Sequence, residues 1–144
     1  MSVYDRNYQK QGLSPLHQKI LRWLPQKVVV LDVGCAAGYL AKEIKKKKKS
    51  VVYGIEYDAE SGQKARRVFE KVWIGSVEDN KLFKKIPIKK FDFLILADIL
   101  EYLRNPEIFL QYSKKWLKKN GKVLVSIPNI ANFESQERNY FGSI

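Results

Sequence analysis

The sequence predicts an α/β fold, a three-layer αβα sandwich around a mostly parallel sheet with about five strands present. Three observations carry this. Apolar spacing switches repeatedly between strand-like and helical periods along 144 residues. The strand segments are too uniformly apolar to have one wet face, which calls for a parallel sheet covered by helices on both sides. A small-residue turn, Gly34–Gly38, follows the first strand, and an acid, Glu56, ends the second.

Each element has its own local signal. Ser14 and Pro15 stand as N-cap and first residue of an amphipathic helix carrying Leu16, Ile20, Leu21 and Leu24, which Pro25 closes. Val28–Asp32 is a short β-branched run, a buried strand. After the glycine turn, a helix with Leu40, Ala41 and Ile44 runs into the lysines at 45–49. Val51–Glu56 is a second strand, and Asp58 caps a helix expected to carry Ala65, Val68 and Phe69. Val72–Gly75 is a third strand, followed by a weak helical turn near Glu78–Lys85. Phe91–Ala97 is apolar at every position but Asp92 and is the clearest strand. Asn105-Pro106 starts a helix over Ile108–Leu117 that Asn120-Gly121 should end, and Lys122–Ile127 is the fifth strand. From Pro128 the chain reads as irregular or weakly helical. Residues 1–26 form an N-terminal segment and helix, and 27–144 form the core.

Composition narrows the class. With 45% hydrophobic and 12% aromatic residues the chain can bury a core, and its length suits one domain. No apolar run approaches the roughly 18–20 residues of a membrane span, and the N-terminus is polar, so a soluble, cytoplasmic protein is expected. The single cysteine, Cys35, excludes an internal disulfide framework and a thiolate zinc cage. His17, the only histidine, has no Cys or His neighbour in sequence, so no metal site is expected.

The turn and the acid together suggest a nucleoside site. In open α/β sheets ligands bind beyond the carboxyl ends of the strands. Gly34 and Gly38 allow close backbone approach there, and Ala36 and Ala37 keep the turn tight. Glu56 stands where an acid accepts hydrogen bonds from ribose hydroxyls. A dinucleotide fingerprint would need a third glycine where Tyr39 stands, and Asp32 beside the turn would repel a pyrophosphate. No Gly-Lys-Ser/Thr follows, so a P-loop is absent. The carboxylate of Asp32 favours a cationic ligand, and S-adenosylmethionine carries both an ammonium and a sulfonium.

Leu31–Gly38 resembles motif I of the class I S-adenosylmethionine-dependent methyltransferases, a Rossmann-like fold. Phe91-Asp92 through Leu103, and Gly121–Asn129, resemble later motifs of its small-molecule, MetW-like branch, so the likeness spans about residues 28–129. The resemblance implies S-adenosylmethionine as cofactor and assigns roles. Asp32, Gly34, Ala36 and Gly38 would surround the methionine part, with Cys35 and Tyr39 lining it. Glu56 would hold the ribose and Tyr57 would pack beside the adenine. Gly75-Ser76-Val77-Glu78 would meet the adenine ring, with Ser76 where relatives often have Asp, a weaker anchor. Ala97 and Asp98 would close the pocket by backbone contact. Glu101-Tyr102-Leu103 stands where relatives commonly read Glu-His-Leu. Tyr102, with an ordinary pKa near 10, would be a poor base and would instead orient a substrate or cover the pocket rim. Tyr4 and Tyr8 precede the core, where relatives fold a segment over the cofactor; a frayed terminus is the competing expectation.

The expected function is methyl transfer from S-adenosylmethionine to a small-molecule acceptor. The alternatives are an RNA or tRNA methyltransferase, or a catalytically silent cofactor- or partner-binding module with the same fold. The net charge of +12 would favour nucleic acid, but its placement does not. Lysine clusters at 42–49, 81–90 and 114–122 carry +5 each, leaving −3 elsewhere. They fall where helices end and strands begin, opposite the ligand edge, whereas Asp32, Glu56, Asp58, Glu78, Asp79, Asp98 and Glu101 fall at the ligand edge. Members of the family build seven strands. Residues 128–144 cannot supply the last two at typical lengths. A truncated chain is therefore expected, or a fifth strand whose apolar edge another chain covers, as in a homodimer.

Overall fold

The computed structural model describes residues 3–128, with side chains from residue 6 onward. The elements in chain order are helices α1 (Val3–Gln11) and α2 (Pro15–Trp23), strand β1 (Val29–Val33), α3 (Tyr39–Lys48), β2 (Val51–Glu56), α4 (Ala59–Ala65), β3 (Lys71–Ile74), α5 (Asn80–Phe83), β4 (Phe91–Ala97), α6 (Pro106–Ser113) and β5 (Leu117–Ser126). Among these residues the strands form one parallel sheet in the order β3-β2-β1-β4-β5. The order reverses between β1 and its two neighbours, which leaves a crevice at their carboxyl ends.

Period-two alternation divides the core between the two faces of the sheet. On one face Val30, Val52, Val72, Ile95 and Leu124 pack against Leu16, Ile20 and Leu21 of α2 and Leu40, Ala41 and Ile44 of α3. On the other, Leu31, Val33, Ile55, Leu94, Leu96 and Val123 pack with Phe109 of α6 and Trp116. Burying both faces is what made the strands read as continuous apolar runs.

The expected caps hold the helix starts. The Ser14 hydroxyl accepts from the His17 N–H at 3.2 Å, and Asp58 accepts from the Ser61 N–H at 2.8 Å. Asp79 does the same for Lys81 at 2.8 Å. Asp92, the polar exception in β4, accepts from the Val29 N–H at 2.7 Å and pairs with Lys118 at 3.2 Å, tying the base of β4 to β1 and β5.

Three departures have physical causes. Helix α4 ends at Ala65, and Val68 and Phe69 lie in the turn beyond it, where Phe69 is buried against the first face. The helix expected to reach Leu117 stops at Ser113, and a 3-10 turn, Lys114–Trp116, follows. Trp116, 1% exposed, docks beside Phe83 with ring centroids 4.4 Å apart, and this pulls the chain out of the helix. Leu117 then pairs with Phe91, and Asn120-Gly121 sits in a register irregularity before the regular ladder from Lys122, instead of ending a helix. At the N-terminus, where fraying was one expectation, α1 is helical. The reading of 129–144 as irregular lies outside the described residues, as does the side chain of Tyr4.

Candidate active site at the carboxyl edge

The turn after β1 is held to the end of β2 by backbone. The Gly34 and Cys35 N–H groups both donate to the Ile55 carbonyl, at 2.8 and 3.1 Å. Glu56 continues the clasp: one carboxylate oxygen accepts from the Ala36 N–H at 2.7 Å, the other from the Asp58 N–H at 2.9 Å. Glu56 is therefore first a brace for the turn. Each of its oxygens keeps a lone pair that could accept a ribose hydroxyl.

Two glycines are required here. Gly34 has φ +75°, and a Cβ there would strike the Ile99 side chain. Gly38 has φ +92°, and a Cβ would lie 2.9 Å from the Phe69 ring. Ala36 also takes a left-handed conformation, φ +50°, a strained state that its bond to Glu56 helps to hold.

Asp32 is 4% exposed, on the face of the sheet that α2 and α3 cover, and no hydrogen bond to its carboxyl is present among the described residues. Burial first, and the nearby Glu56 charge second, push its pKa up to about 8. Burial also drives the Cys35 thiol far up, helped by Asp32 and Glu56, so it stays protonated. A buried acid without a counter-charge beside a glycine turn suits a cationic group arriving from outside.

A cleft of ≈ 870 Å³ opens along the ends of β1, β2 and β3. It brings together residues singled out in the sequence: Gly34, Glu56, Tyr57, the run Gly75–Glu78, and Tyr102, which was expected at the pocket rim. Tyr57 is 79% exposed, a free aromatic face, and the Ser76 hydroxyl accepts from the Glu78 N–H at 3.1 Å. Asp32, Cys35, Ala36, Gly38, Tyr39, Ala97 and Asp98 do not line this cleft. Cys35 lies beneath the turn, and Tyr39 opens α3, stacked on Tyr8 of α1 with centroids 4.1 Å apart. Thus α1 packs on the start of α3, through a residue that does not line the cleft. Ala97 ends β4, and Asp98 follows in a left-handed conformation, φ +53°. The Asp98 N–H donates to the Ser126 hydroxyl at 3.0 Å, and that hydroxyl donates to the Asp98 carboxylate at 2.7 Å.

Sequence reasoning missed part of the wall. Ile99, Leu103, Arg104 and Asn105 also line the cleft. One Glu78 carboxylate oxygen accepts from the Arg104 and Asn105 N–H groups at 2.8 and 3.3 Å, joining the loop after β3 to the start of α6. Asn105 caps α6 with no side-chain hydrogen bond, so Glu78 serves the backbone just before that helix. The available signal was an acid after β3 together with an Asn-Pro helix start, and neither names its partner. Among the described residues no group of three or more His, Cys, Asp or Glu could hold a metal, and no helix is long and apolar enough to cross a membrane.

These residues fit a nucleoside carrying a cationic tail: an open aromatic, a carboxylate with spare lone pairs, a cleft within the usual range for ligands and an uncompensated buried acid.

A family model described as a methyltransferase domain matches residues 4–142. An uncharacterized protein of Methanocaldococcus jannaschii is 29% identical over 99 residues, covering 67% of this chain and 43% of that protein. N-methyltransferase 4 of Papaver somniferum is 29% identical over 100 residues, 66% of this chain and 28% of that protein. The chain therefore spans less than half the length of these curated relatives. The crystal structure of a SAM-dependent methyltransferase of Thermotoga maritima, described as a possible histamine N-methyltransferase, superposes with a TM-score of 0.71 at 23% identity, over 90% of this chain and 59% of that one. That likeness speaks to the fold alone. With the parallel sheet in order 3-2-1-4-5, the glycine turn and the matching model over almost its whole length, the chain belongs to the class I S-adenosylmethionine-dependent methyltransferase family.

Proposed function

We propose that this chain binds S-adenosylmethionine and transfers its methyl group to a small-molecule acceptor. The observation that carries this is the convergence of Gly34, Glu56, Tyr57 and Ser76–Val77, from three strand ends, on one cleft. Glu56 would hold the ribose, Tyr57 and the Ser76–Val77 loop the adenine, and the turn Gly34–Gly38, with Asp32 beneath it and Ala97 and Asp98 beside it, the methionine portion. When bound, the cosubstrate supplies an electrophilic methyl group. The chain's contribution is to align the acceptor and exclude water.

The small-molecule reading rests on charge placement. Acids gather at the carboxyl edge, while α3 ends in Lys45–Lys48 at the opposite edge, where the Lys48 carbonyl accepts from the Lys27 N–H at 2.8 Å. Lys81, in the first turn of α5, and Lys122, within β5, depart from that pattern. An RNA substrate would have to approach an acidic mouth, so it is the second reading. At the sheet's edge β5 has no strand partner on its outer side among the described residues, and pairing there with a second copy is the partnership this edge supports.

Calorimetry with S-adenosylmethionine and S-adenosylhomocysteine tests the proposal. Binding of both, weakened by about 1.5–3 kcal/mol in Glu56→Ala, supports it. No binding at millimolar ligand overturns it.

A further inference from the structure

A second concavity lies on the other face of the sheet, between α5 and α6. Helix α5 is a single turn, and the chain then passes through residues 84–90 to β4. Beside it runs a groove of ≈ 590 Å³. Ile108 and Tyr112, one turn apart on α6, line it at 52% and 49% exposure, and Ile88 of the passing loop at 67%. They are three of the eight large apolar side chains that stay exposed among the described residues. Such a gathering marks a binding surface. The floor is aromatic: Trp116 and Phe109 are buried with rings 6.0 Å apart, and Phe83 lies 4.4 Å from Trp116.

Charge is separated along this groove. Lys84 follows Phe83 and Lys115 precedes Trp116, so both lysines line the groove beside that aromatic contact. The Lys115 Nζ stands 5.1 Å over the Tyr112 ring, and the Lys115 carbonyl accepts from the Lys89 N–H at 2.8 Å, which sets Ile88 beside it. Neither Lys84 nor Lys115 has an ion-pair partner among the described residues. Glu78 is the only acid of the described lining. It stands where the groove meets the nucleoside cleft, and one of its oxygens already holds the Arg104 and Asn105 N–H groups.

We propose that this groove binds a free fatty acid or a like amphipathic anion. The carboxylate sits between Lys84 and Lys115, and the chain lies along Ile88, Ile108 and Tyr112. Burial of methylenes on the apolar wall supplies affinity, and the two unpaired ammonium groups fix the direction. The volume suits one small ligand. Two cations are few for a polynucleotide track, and the buried faces of Trp116 and Phe109 offer no platform for stacking bases. The site goes beyond the S-adenosylmethionine reading and does not depend on it.

Calorimetry at pH 7.5 with decanoate, hexanoate and decyltrimethylammonium, each below its micelle concentration, tests the assignment. One decanoate should bind per chain, hexanoate should bind more than tenfold more weakly, and the cation should not bind. Reversing both charges, Lys84→Glu with Lys115→Glu, should weaken decanoate more than tenfold and admit decyltrimethylammonium. Both side chains are exposed, and circular dichroism checks that the fold is kept. Lys42→Glu with Lys46→Glu, the same charge change on the exposed side of α3, should leave decanoate binding as it was. Equal binding of the two head groups, no dependence on chain length, or equal losses in the two double variants overturns the inference. So does the absence of decanoate binding at millimolar concentration, or binding of anionic phospholipid vesicles or a short RNA in its place.

Discussion

Replacing Asp32 with Asn should make the protein more stable at neutral and alkaline pH, by an amount that grows with pH. The carboxyl is buried between β1 and the two helices above it, with no counter-charge, and its pKa rises from 3.8 to about 8. Between those values the folded protein holds a proton that the unfolded chain has released. Stability therefore falls as pH rises through that window, by about 1.4 kcal/mol per pH unit from this group. The full window corresponds to about 6 kcal/mol, complete above pH 8 and absent below pH 4. Asp32→Asn keeps the side-chain shape and cannot ionise. His17 titrates with the opposite sign, because its lowered pKa makes stability rise with pH, but it does so equally in both proteins. The difference between wild type and Asp32→Asn therefore isolates Asp32. Urea denaturation at pH 5, 6.5 and 8 measures it. A difference that stays constant or shrinks as pH rises refutes the argument. The same substitution should weaken S-adenosylmethionine binding, since it removes the buried carboxyl beneath the turn that could ionise to meet a cation.

Three further outcomes follow from the turn and its surroundings. Glu56→Gln leaves one oxygen for two backbone donors, so it should cost about 1–3 kcal/mol by chemical denaturation and also lower the Asp32 pKa, since a like charge is gone. Gly34→Ala combines a φ of +75° with a collision against Ile99; about 1–3 kcal/mol should be lost, and adding Ile99→Ala should recover only the collision part in the same denaturation assay. The Cys35 thiol, buried and pushed up, should resist Ellman's reagent at pH 8 in the folded protein and react fully in guanidinium; rapid labelling of folded protein would contradict its placement.

What was legible in the sequence were features whose cause is local. Val51–Glu56 and Phe91–Ala97 have the bounds expected of them, because each is a run of apolar, strand-forming residues ending in a change of character. Ser14 and Asp58 cap the helices they were expected to cap, since a cap needs only its own next turn. The end of α6 was not legible, because the burial of Trp116 against Phe83 decides it and that contact spans two elements. The site divides the same way. Gly34 follows β1 and Glu56 ends β2, and their spacing is set by one β-turn-helix-β unit. Glu78 joins backbone 26 residues away, across the loop after β3 and the start of α6.

The acids at this edge are arranged so that each raises the cost of the others. Burial and then Glu56 push Asp32 up, burial and then both acids push Cys35 up, and partial burial, with Asp98 a smaller cause, pushes Glu101 up. A fold selected for stability alone would place amides or apolar groups at such positions, and the lysines that could neutralise the acids mostly stand at the other end of the strands. The unmet negative potential is therefore a property the folded state carries at a cost, as binding sites commonly do. A ligand bearing positive charge at the turn would stabilise the ionised form of Asp32. Binding should then release a proton near neutral pH, because Asp32 would pass from its neutral to its ionised form. Proton release measured by calorimetry in buffers of different ionisation heat connects that electrostatic strain to its use.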